Sequence, residues 1–227
     1  RIVGVTKFCV HPEDLRKEKK VVGGTKQVHF DRIAALEPEL ILCNKEENTE
    51  EMVAALEKIA PVHVSDVKTI DDSLELILQY GEIFGVAAKA SELIEDIKLL
   101  RQEFQQDMKE LPKRKVAYFI WKDPWMVAGK DTFIDHLLQL NRFENVFSEK
   151  DSRYPEIDLE DLGQKKVELL LLSTEPYPFK EDHVQALGLE VRKARVLIVD
   201  GEYFSWYGSR LTAAFTYFKQ LQAKLPF

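Results

Sequence analysis

The sequence predicts an α/β protein of two lobes with parallel sheets, joined by one long bridging α-helix. In the first 85 residues, short β-branched runs alternate with segments of helical periodicity, which is typical of parallel strands joined by crossover helices. An amphipathic stretch from Ala87 to Leu111 follows, and at 1.5 Å per residue it would span about 37 Å, more than a crossover requires. The alternation then begins again. We therefore expect a first lobe at residues 1–85, a bridging helix at 86–112 and a second lobe at 113–227.

Four strands and three helices are predicted in the first lobe. Asn48 is the expected N-cap of one helix, with Glu51 three residues later in a box-like arrangement. Asp71 or Asp72 is the expected cap of the next helix. The predicted strands are Arg1–Thr6, Val21-Val22, Leu40–Cys43 and Val62–Val64, and the predicted helices are Phe30–Leu36, Asn48–Ile59 and Asp71–Gly85.

The second lobe repeats the alternation after the long helix. Along that helix, apolar residues recur every three or four positions, which predicts one continuous apolar face. A further helix is predicted to open at Asp158. The other predicted elements are strands at Val116–Ile120, Val167–Leu172 and Val196–Asp200, and helices at Thr132–Leu140, Lys180–Leu187 and Leu211–Leu225.

Composition excludes several classes of protein. Hydrophobic residues make up 45% and charged residues 31%, a mix that supports a folded core rather than disorder. The longest apolar run is Val116–Trp121, far short of the roughly 20 residues of a membrane helix. The net charge of −7 argues against nucleic acid as a partner. Cys9 and Cys43 are too few for a disulfide framework, and two buried thiols are favoured over one disulfide.

Catalytic motifs are not found in the sequence. Gly23-Gly24-Thr25-Lys26 lacks the spacing of a phosphate-binding loop, so a tight turn explains its glycines better. The five histidines show no metal-ligand spacing, so no metal site is predicted. Ser205 and Ser209 have no base near them in the sequence that would complete a nucleophilic set. We therefore expect a protein that is not an enzyme and that needs no cofactor.

Aromatic residues are concentrated in the loops that follow the second-lobe strands. In open α/β sheets, ligands bind outside the carboxyl ends of the strands. Trp121, Trp125 and Trp206, all the tryptophans of the chain, lie in such loops. Packing inside the protein explains any one of these rings equally well, but the whole set favours a bulky, partly apolar ligand.

Several segments resemble the substrate-binding proteins of ABC importers for cobalamin, haem and ferric siderophores. Val21–Lys26 and Phe30–Leu42 resemble the family signature that runs from a Gly-Gly-Thr turn through a helix to a strand after Pro. Thr132–Ile134 and Asn145–Phe147 resemble a second family stretch. Tyr154–Ile157 and Val199–Gly201 fit the family as well.

The resemblance implies two Rossmann-like lobes that hold a metal chelate between them. It implies delivery of the ligand to an ABC permease with a cytoplasmic ATPase, in the periplasm or at the outer face of the cytoplasmic membrane. The protein would be peripheral to the membrane, through the permease or through a lipid anchor not in this chain. An additional strand–helix unit is expected ahead of Arg1. Asp31 and Glu160 would dock to the permease, although acids at helix N-termini are also explained by the helix dipole.

The resemblance and the loop positions together give a predicted ligand-binding set. The aromatic excess favours cobalamin or another corrinoid slightly, with a ferric siderophore next. Alternatives from other classes are an intracellular α/β enzyme and a ligand sensor on the same type of fold. The predicted ligand-binding residues are Phe8, His11, Thr25, Lys26, Asn44, Trp121, Trp125, Arg153, Tyr154, Tyr177, Glu202, Phe204, Trp206 and Arg210.

Overall fold

The computed structural model describes residues 2–225 and divides the chain into two compact units, Arg1–Asp66 and Val67–Phe227. Arg1, the predicted start of the first strand, lies outside the described residues. Both units contain parallel strand pairs, which confirms the predicted α/β class. The division into two lobes and a bridge at 86–112 stays a prediction. Within residues 2–225, no helix has the length and apolar character needed to cross a membrane.

The first unit contains four short strands in two parallel pairs. β1 pairs with β2, and β3 pairs with β4 in a register that places Cys43 beside Val64. Its core is small and is built around Val22, Ile33 and Leu56 together with Cys43. The elements are β1 (Gly4–Val5), α1 (Leu15–Glu18), β2 (Lys20–Val21), α2 (Phe30–Ala34), β3 (Ile41–Asn44), α3 (Glu50–Leu56) and β4 (Val62–Ser65).

The second unit begins with two long helices and continues with a five-stranded sheet whose strands alternate with helices. Its elements are α4 (Ile70–Ile83), α5 (Ala87–Met108), β5 (Arg114–Trp121), β6 (Met126–Val127), α6 (Phe133–Leu140), β7 (Phe143–Asn145), α7 (Leu159–Gln164), β8 (Leu169–Ser173), α8 (Glu181–Glu190), β9 (Arg195–Val199), α9 (Gly201–Ser205), a 3-10 turn (Gly208–Arg210) and α10 (Leu211–Ala223).

The sheet of the second unit runs in the order β6-β5-β8-β9, and β7 also pairs with β5. All its pairings are parallel except the β5–β6 pair. The central strand β8 is buried at every residue, which explains the unbroken Leu169–Ser173 run of mostly apolar side chains. Helices pack on both faces, and the cluster on one face includes the fully buried Phe104 of α5 and Phe218 of α10. This arrangement brings the carboxyl ends of β5, β8 and β9 to one edge.

Two predicted helix caps are wrong. Thr49, not Asn48, caps α3, because its side chain accepts a hydrogen bond from the Met52 amide. The Asn48 side chain instead accepts a hydrogen bond from the Asn44 backbone amide, in the loop that precedes the helix. Thr69 caps α4, and Asp72 is the N3 residue of a complete capping box rather than the cap.

Both cysteines are free thiols. Cys43 is buried in the core of the first unit, and that burial raises the pKa of its thiol. Cys9 is half-buried, with its Sγ atom 3.6 Å from the Thr6 hydroxyl.

Candidate functional site

Three loops meet at the carboxyl edge of the second-unit sheet. They are the β5 loop (residues 121–125), the β8 loop (residues 173–179) and the β9 loop (residues 200–210). The Tyr177 amide donates a hydrogen bond to the carbonyl of Ile120, which ties the β8 loop to the end of β5. The Gly201 amide donates to the Thr174 hydroxyl at 2.9 Å, which ties the β9 loop to the β8 loop. The loops therefore form one connected surface.

Aromatic rings join the β5 and β8 loops. Trp121 and Tyr177 meet edge to face, with ring centroids 5.5 Å apart. Trp125 lies parallel to Phe179 and edge-on to the buried Phe119. Trp121 keeps 40% of its surface exposed, whereas Phe179 is buried, so the outer rings rest on an inner layer. The exposed carbon surface is therefore held in place by core residues.

Glu175 connects the β8 loop to the β9 loop. Its Oε1 atom accepts a hydrogen bond from the Ser205 hydroxyl at 2.6 Å and another from the Trp206 indole N–H at 2.8 Å. Burial raises the pKa of Glu175, and the hydrogen bonds from Ser205 and Trp206 oppose that effect. The nearby carboxylates of Glu202 and Asp200 act in the same direction as burial.

The backbone around Glu175 is anchored to the core. The Ser173 hydroxyl donates to the Glu175 carbonyl at 2.5 Å, and the buried Tyr118 hydroxyl donates to Ser173 Oγ at 3.1 Å. Gly201 allows this close approach, because a Cβ atom there would lie 2.5 Å from Glu175 Cγ. Burial also raises the pKa of Tyr118, so its hydroxyl stays protonated and remains a donor.

A charged pair lies in the β9 loop. Arg210 forms an ion pair with Glu202, and its guanidinium lies over the Tyr203 ring at 4.5 Å from the centroid. Tyr203 in turn stacks on Tyr217 of α10, whose hydroxyl accepts a hydrogen bond from the Asp200 amide. The positive charge of Arg210 is thus balanced within the same loop.

Backbone hydrogen bonds fix the segment that carries Arg153 and Tyr154. The Gly129 amide donates to the Arg153 carbonyl, and a Cβ atom on Gly129 would lie 2.5 Å from the Ser152 carbonyl. The Ile157 amide donates to the carbonyl of Trp125 in the β5 loop. Both predicted residues are half-buried, and Tyr154 packs against the buried cluster that contains Phe104 and Phe218.

The first-unit loops also form a connected group. The Asn48 amide group donates to the Thr25 carbonyl, and the Asn44 backbone amide donates to the Asn48 side chain. Lys26 donates to the Glu46 carbonyl at 2.9 Å. These contacts bring together the predicted residues Thr25, Lys26 and Asn44. The other two predicted residues of this unit, Phe8 and His11, are exposed in the segment after β1.

One predicted contact does not fit its structural position. Phe204 is fully buried and packs against Tyr118 and Phe218, so its ring offers no surface to a ligand. The prediction failed because Phe204 lies in a loop by sequence but on α9, which turns it into the core. Asp31 and Glu160 are exposed in the first turns of α2 and α7, and their docking role stays a prediction.

Sequence reasoning missed Glu175, Ser205 and Phe179. Glu175 and Ser205 lie in loops that follow the second-lobe strands, and no spacing pattern indicates that two residues 30 positions apart in the sequence are in contact. Phe179 lies in the same loop as Glu175, and only its stack with Trp125 identifies it as a support. Pairwise contacts of this kind need the sheet order, which the sequence does not state.

Comparisons with known proteins point to one group. An uncharacterized ABC transporter substrate-binding lipoprotein, YvrC, from Bacillus subtilis is 25% identical over 66% of this chain, and the chain spans about half the length of that relative. A vitamin B12-binding protein from Pectobacterium atrosepticum is 25% identical over 94% of this chain and 78% of its own length. A periplasmic haem-binding protein from Pseudomonas aeruginosa has the same fold, with a TM-score of 0.80, 19% identity and coverage of 96% of this chain and 84% of its own.

The family model for periplasmic binding proteins matches residues 1–189, which is most of the chain. Binding proteins carry out no reaction of their own, and this confirms the prediction that the chain is not an enzyme. The periplasmic character of the family likewise confirms the predicted location. On the extent of this match, the chain belongs to the periplasmic binding protein family.

Proposed function

We propose that this protein captures a metal chelate and delivers it to the permease of an ABC importer. The ligand class is that of cobalamin, haem and ferric siderophores, with a corrinoid favoured slightly. Relatives named as a B12-binding protein and a haem-binding protein support this ligand class. The residues of the site must therefore indicate which member of the class is bound.

The observation that carries this proposal is the aromatic surface of the second unit. Trp121, Tyr177 and Trp125 present carbon surface at the sheet edge where α/β proteins bind ligands. When a planar or partly apolar macrocycle contacts such rings, its carbon surface is removed from water. This burial contributes about 25 cal/mol of favourable free energy per Å². The rings are already seated on buried neighbours, so little ordering would oppose binding.

The balance of charge favours a ligand of low net charge over a strongly anionic one. Arg210 is paired with Glu202, and Lys26 lies 3.9 Å from the Glu47 carboxylate. A strongly anionic chelate would have to compete with these internal carboxylates for the cations.

A titration with three probes tests the proposal. Cyanocobalamin, haemin and ferrichrome are added separately to the protein, and tryptophan emission and isothermal calorimetry are followed together. We expect strong quenching of tryptophan emission and saturable binding heat with one of the three probes. Cyanocobalamin is the probe that the proposal favours. Quenching of free N-acetyltryptophanamide at the same absorbance corrects for light absorbed by the ligand. Absence of saturable heat with every probe would contradict the proposal.

A further inference from the structure

We propose that Glu175 is a positioning residue that fixes the Trp206 ring so that its carbon faces, rather than its N–H group, meet the ligand. This inference rests on the proposed function for its ligand, but its geometry does not. Glu175 lies in the β8 loop and Trp206 in the β9 loop, so their hydrogen bond of 2.8 Å joins the two loops, as do the Ser205–Glu175 and Gly201–Thr174 hydrogen bonds.

The hydrogen bond removes the one polar atom of the indole from ligand recognition. An indole has a single N–H donor and no acceptor. With that donor directed at Glu175 Oε1, the exposed part of the half-buried Trp206 ring is carbon. Such a ring favours flat apolar or π surface over a hydrogen-bond acceptor. Glu175 therefore influences which ligand chemistry Trp206 selects without contacting the ligand itself.

Glu175 is itself held on three sides. Its Oε1 atom also accepts from Ser205, its carbonyl accepts from Ser173, and its Cγ lies so close to Gly201 that a Cβ atom there would come within 2.5 Å of it. Ser173 is fixed in turn by the buried Tyr118 hydroxyl. A chain of hydrogen bonds thus runs from the core of the second unit to the indole. A half-buried carboxylate whose Oε1 atom accepts two hydrogen bonds keeps one rotamer, and the ring that it binds keeps one orientation.

The test isolates the Trp206 signal. Trp121→Phe and Trp125→Phe together leave Trp206 as the one tryptophan of the chain. Glu175→Gln, Glu175→Asp and Glu175→Leu are made in that background, and Glu103→Gln on the exposed face of α5 is the matched control for loss of one charge. Apo emission maximum, acrylamide quenching and affinity for cyanocobalamin and haemin by calorimetry are measured. Far-UV circular dichroism checks that each variant is folded.

Glu175→Gln should keep the emission and bind within about twofold of the background, because its amide oxygen accepts the same two hydrogen bonds. Glu175→Leu should shift emission to the red, raise acrylamide quenching and weaken binding by about tenfold, the scale of one lost anchoring contact. If Glu175→Leu does not fold, Glu175→Asp keeps the charge but withdraws the acceptor, and it should show the same changes. Glu103→Gln should change none of the three readouts.

Three results would overturn the proposal. They are unchanged apo emission in both Glu175→Leu and Glu175→Asp, altered emission with unchanged affinity, and a Glu175→Gln variant that behaves like Glu175→Leu. If the wild-type protein binds none of the probes in calorimetry, the proposed function fails, while the apo emission of the background and its Glu175 variants still decides whether Glu175 holds the ring. The two failures are therefore distinguishable.

Discussion

Tyr177 and His183 brace each other at the edge of the second unit, with the Tyr177 hydroxyl 3.3 Å from His183 Nε2 and the two rings edge to face. His183 belongs to the first turn of α8, so the tyrosine that meets Trp121 is supported by a helix rather than by a free loop. The Lys180 amide donates to His183 Nδ1, which fixes the other side of the imidazole. The aromatic surface is therefore tied to secondary structure at its base.

Combined replacement of Trp206, Trp125 and Tyr154 by Ala should weaken ligand binding by at least about a hundredfold. Each ring that loses its contact with the ligand removes roughly 1.5–3 kcal/mol of burial. Affinity is measured by calorimetry with whichever probe the wild-type protein binds. The three Phe replacements at the same positions are the control, and they should retain most of the affinity because an aromatic face remains. Unchanged affinity of the triple Ala variant would refute the assignment of these residues.

Charge reversal at Asp31 and Glu160 should abolish stimulation of the permease-associated ATPase while leaving ligand affinity unchanged. Both acids are exposed in first helical turns, so their replacement by Lys disturbs no core packing. Glu181→Lys is the matched control, because Glu181 is also an exposed acid in the first turn of a helix. ATP hydrolysis is measured with the cognate permease and its ATPase in proteoliposomes, with the ligand-loaded protein added. Full stimulation by the doubly reversed protein would instead favour the sensor alternative.

Gly201→Ala should destabilise the second unit by about 1–3 kcal/mol, the usual cost of overpacking. The new methyl group would lie 2.5 Å from Glu175 Cγ and would also collide with the Ser173 hydroxyl. Gly188→Ala is the paired control, because nothing lies within 4 Å of a Cβ atom there and the residue is inside α8. That control should be neutral or stabilising by up to about 1 kcal/mol. The free energy of unfolding in urea distinguishes the two, and equal values would contradict the expected close packing.

His136 should make the protein less stable as the pH falls. Burial lowers the pKa of His136, with Arg101 acting in the same direction and Asp71 opposing it. The unfolded chain therefore takes up the proton first, near the ordinary pKa of about 6.5, and the free energy of unfolding decreases from there until the folded-state pKa is passed. The free energy of unfolding, measured in urea between about pH 7.5 and pH 5, should fall less steeply with decreasing pH for His136→Gln than for wild type. Equal slopes would show that His136 is not the group responsible.

The periodic parts of the fold were predictable from the sequence. The apolar run Val116–Trp121 and the spacing along Ala87–Leu111 report burial directly, and the structure has β5 and α5 there. The caps were less predictable, because Asn48 and Thr49 are both good N-cap residues and only backbone geometry selects between them. The short strands β6 and β7 have too few residues for a periodic signal.

The candidate site was predictable as a set of loops but not as a set of contacts. Trp121, Trp125 and Trp206 stood out because large rings in loops need a partner surface. The partnership of Glu175 with Trp206 depends on β8 and β9 being neighbours in the sheet, which no local pattern encodes. Phe204 shows the opposite error, because its short helix turns an apparent loop residue inward.

The hydrogen-bond chain from Tyr118 through Ser173 and Glu175 to Trp206 has a kinetic consequence. A surface that is already ordered has no slow rearrangement to complete after encounter, so association should proceed at a rate set by diffusion and orientation. Differences in affinity among chelates would then appear as differences in residence time. A carrier of this kind would load quickly with any ligand of the class and would discriminate by how soon it lets the wrong one leave.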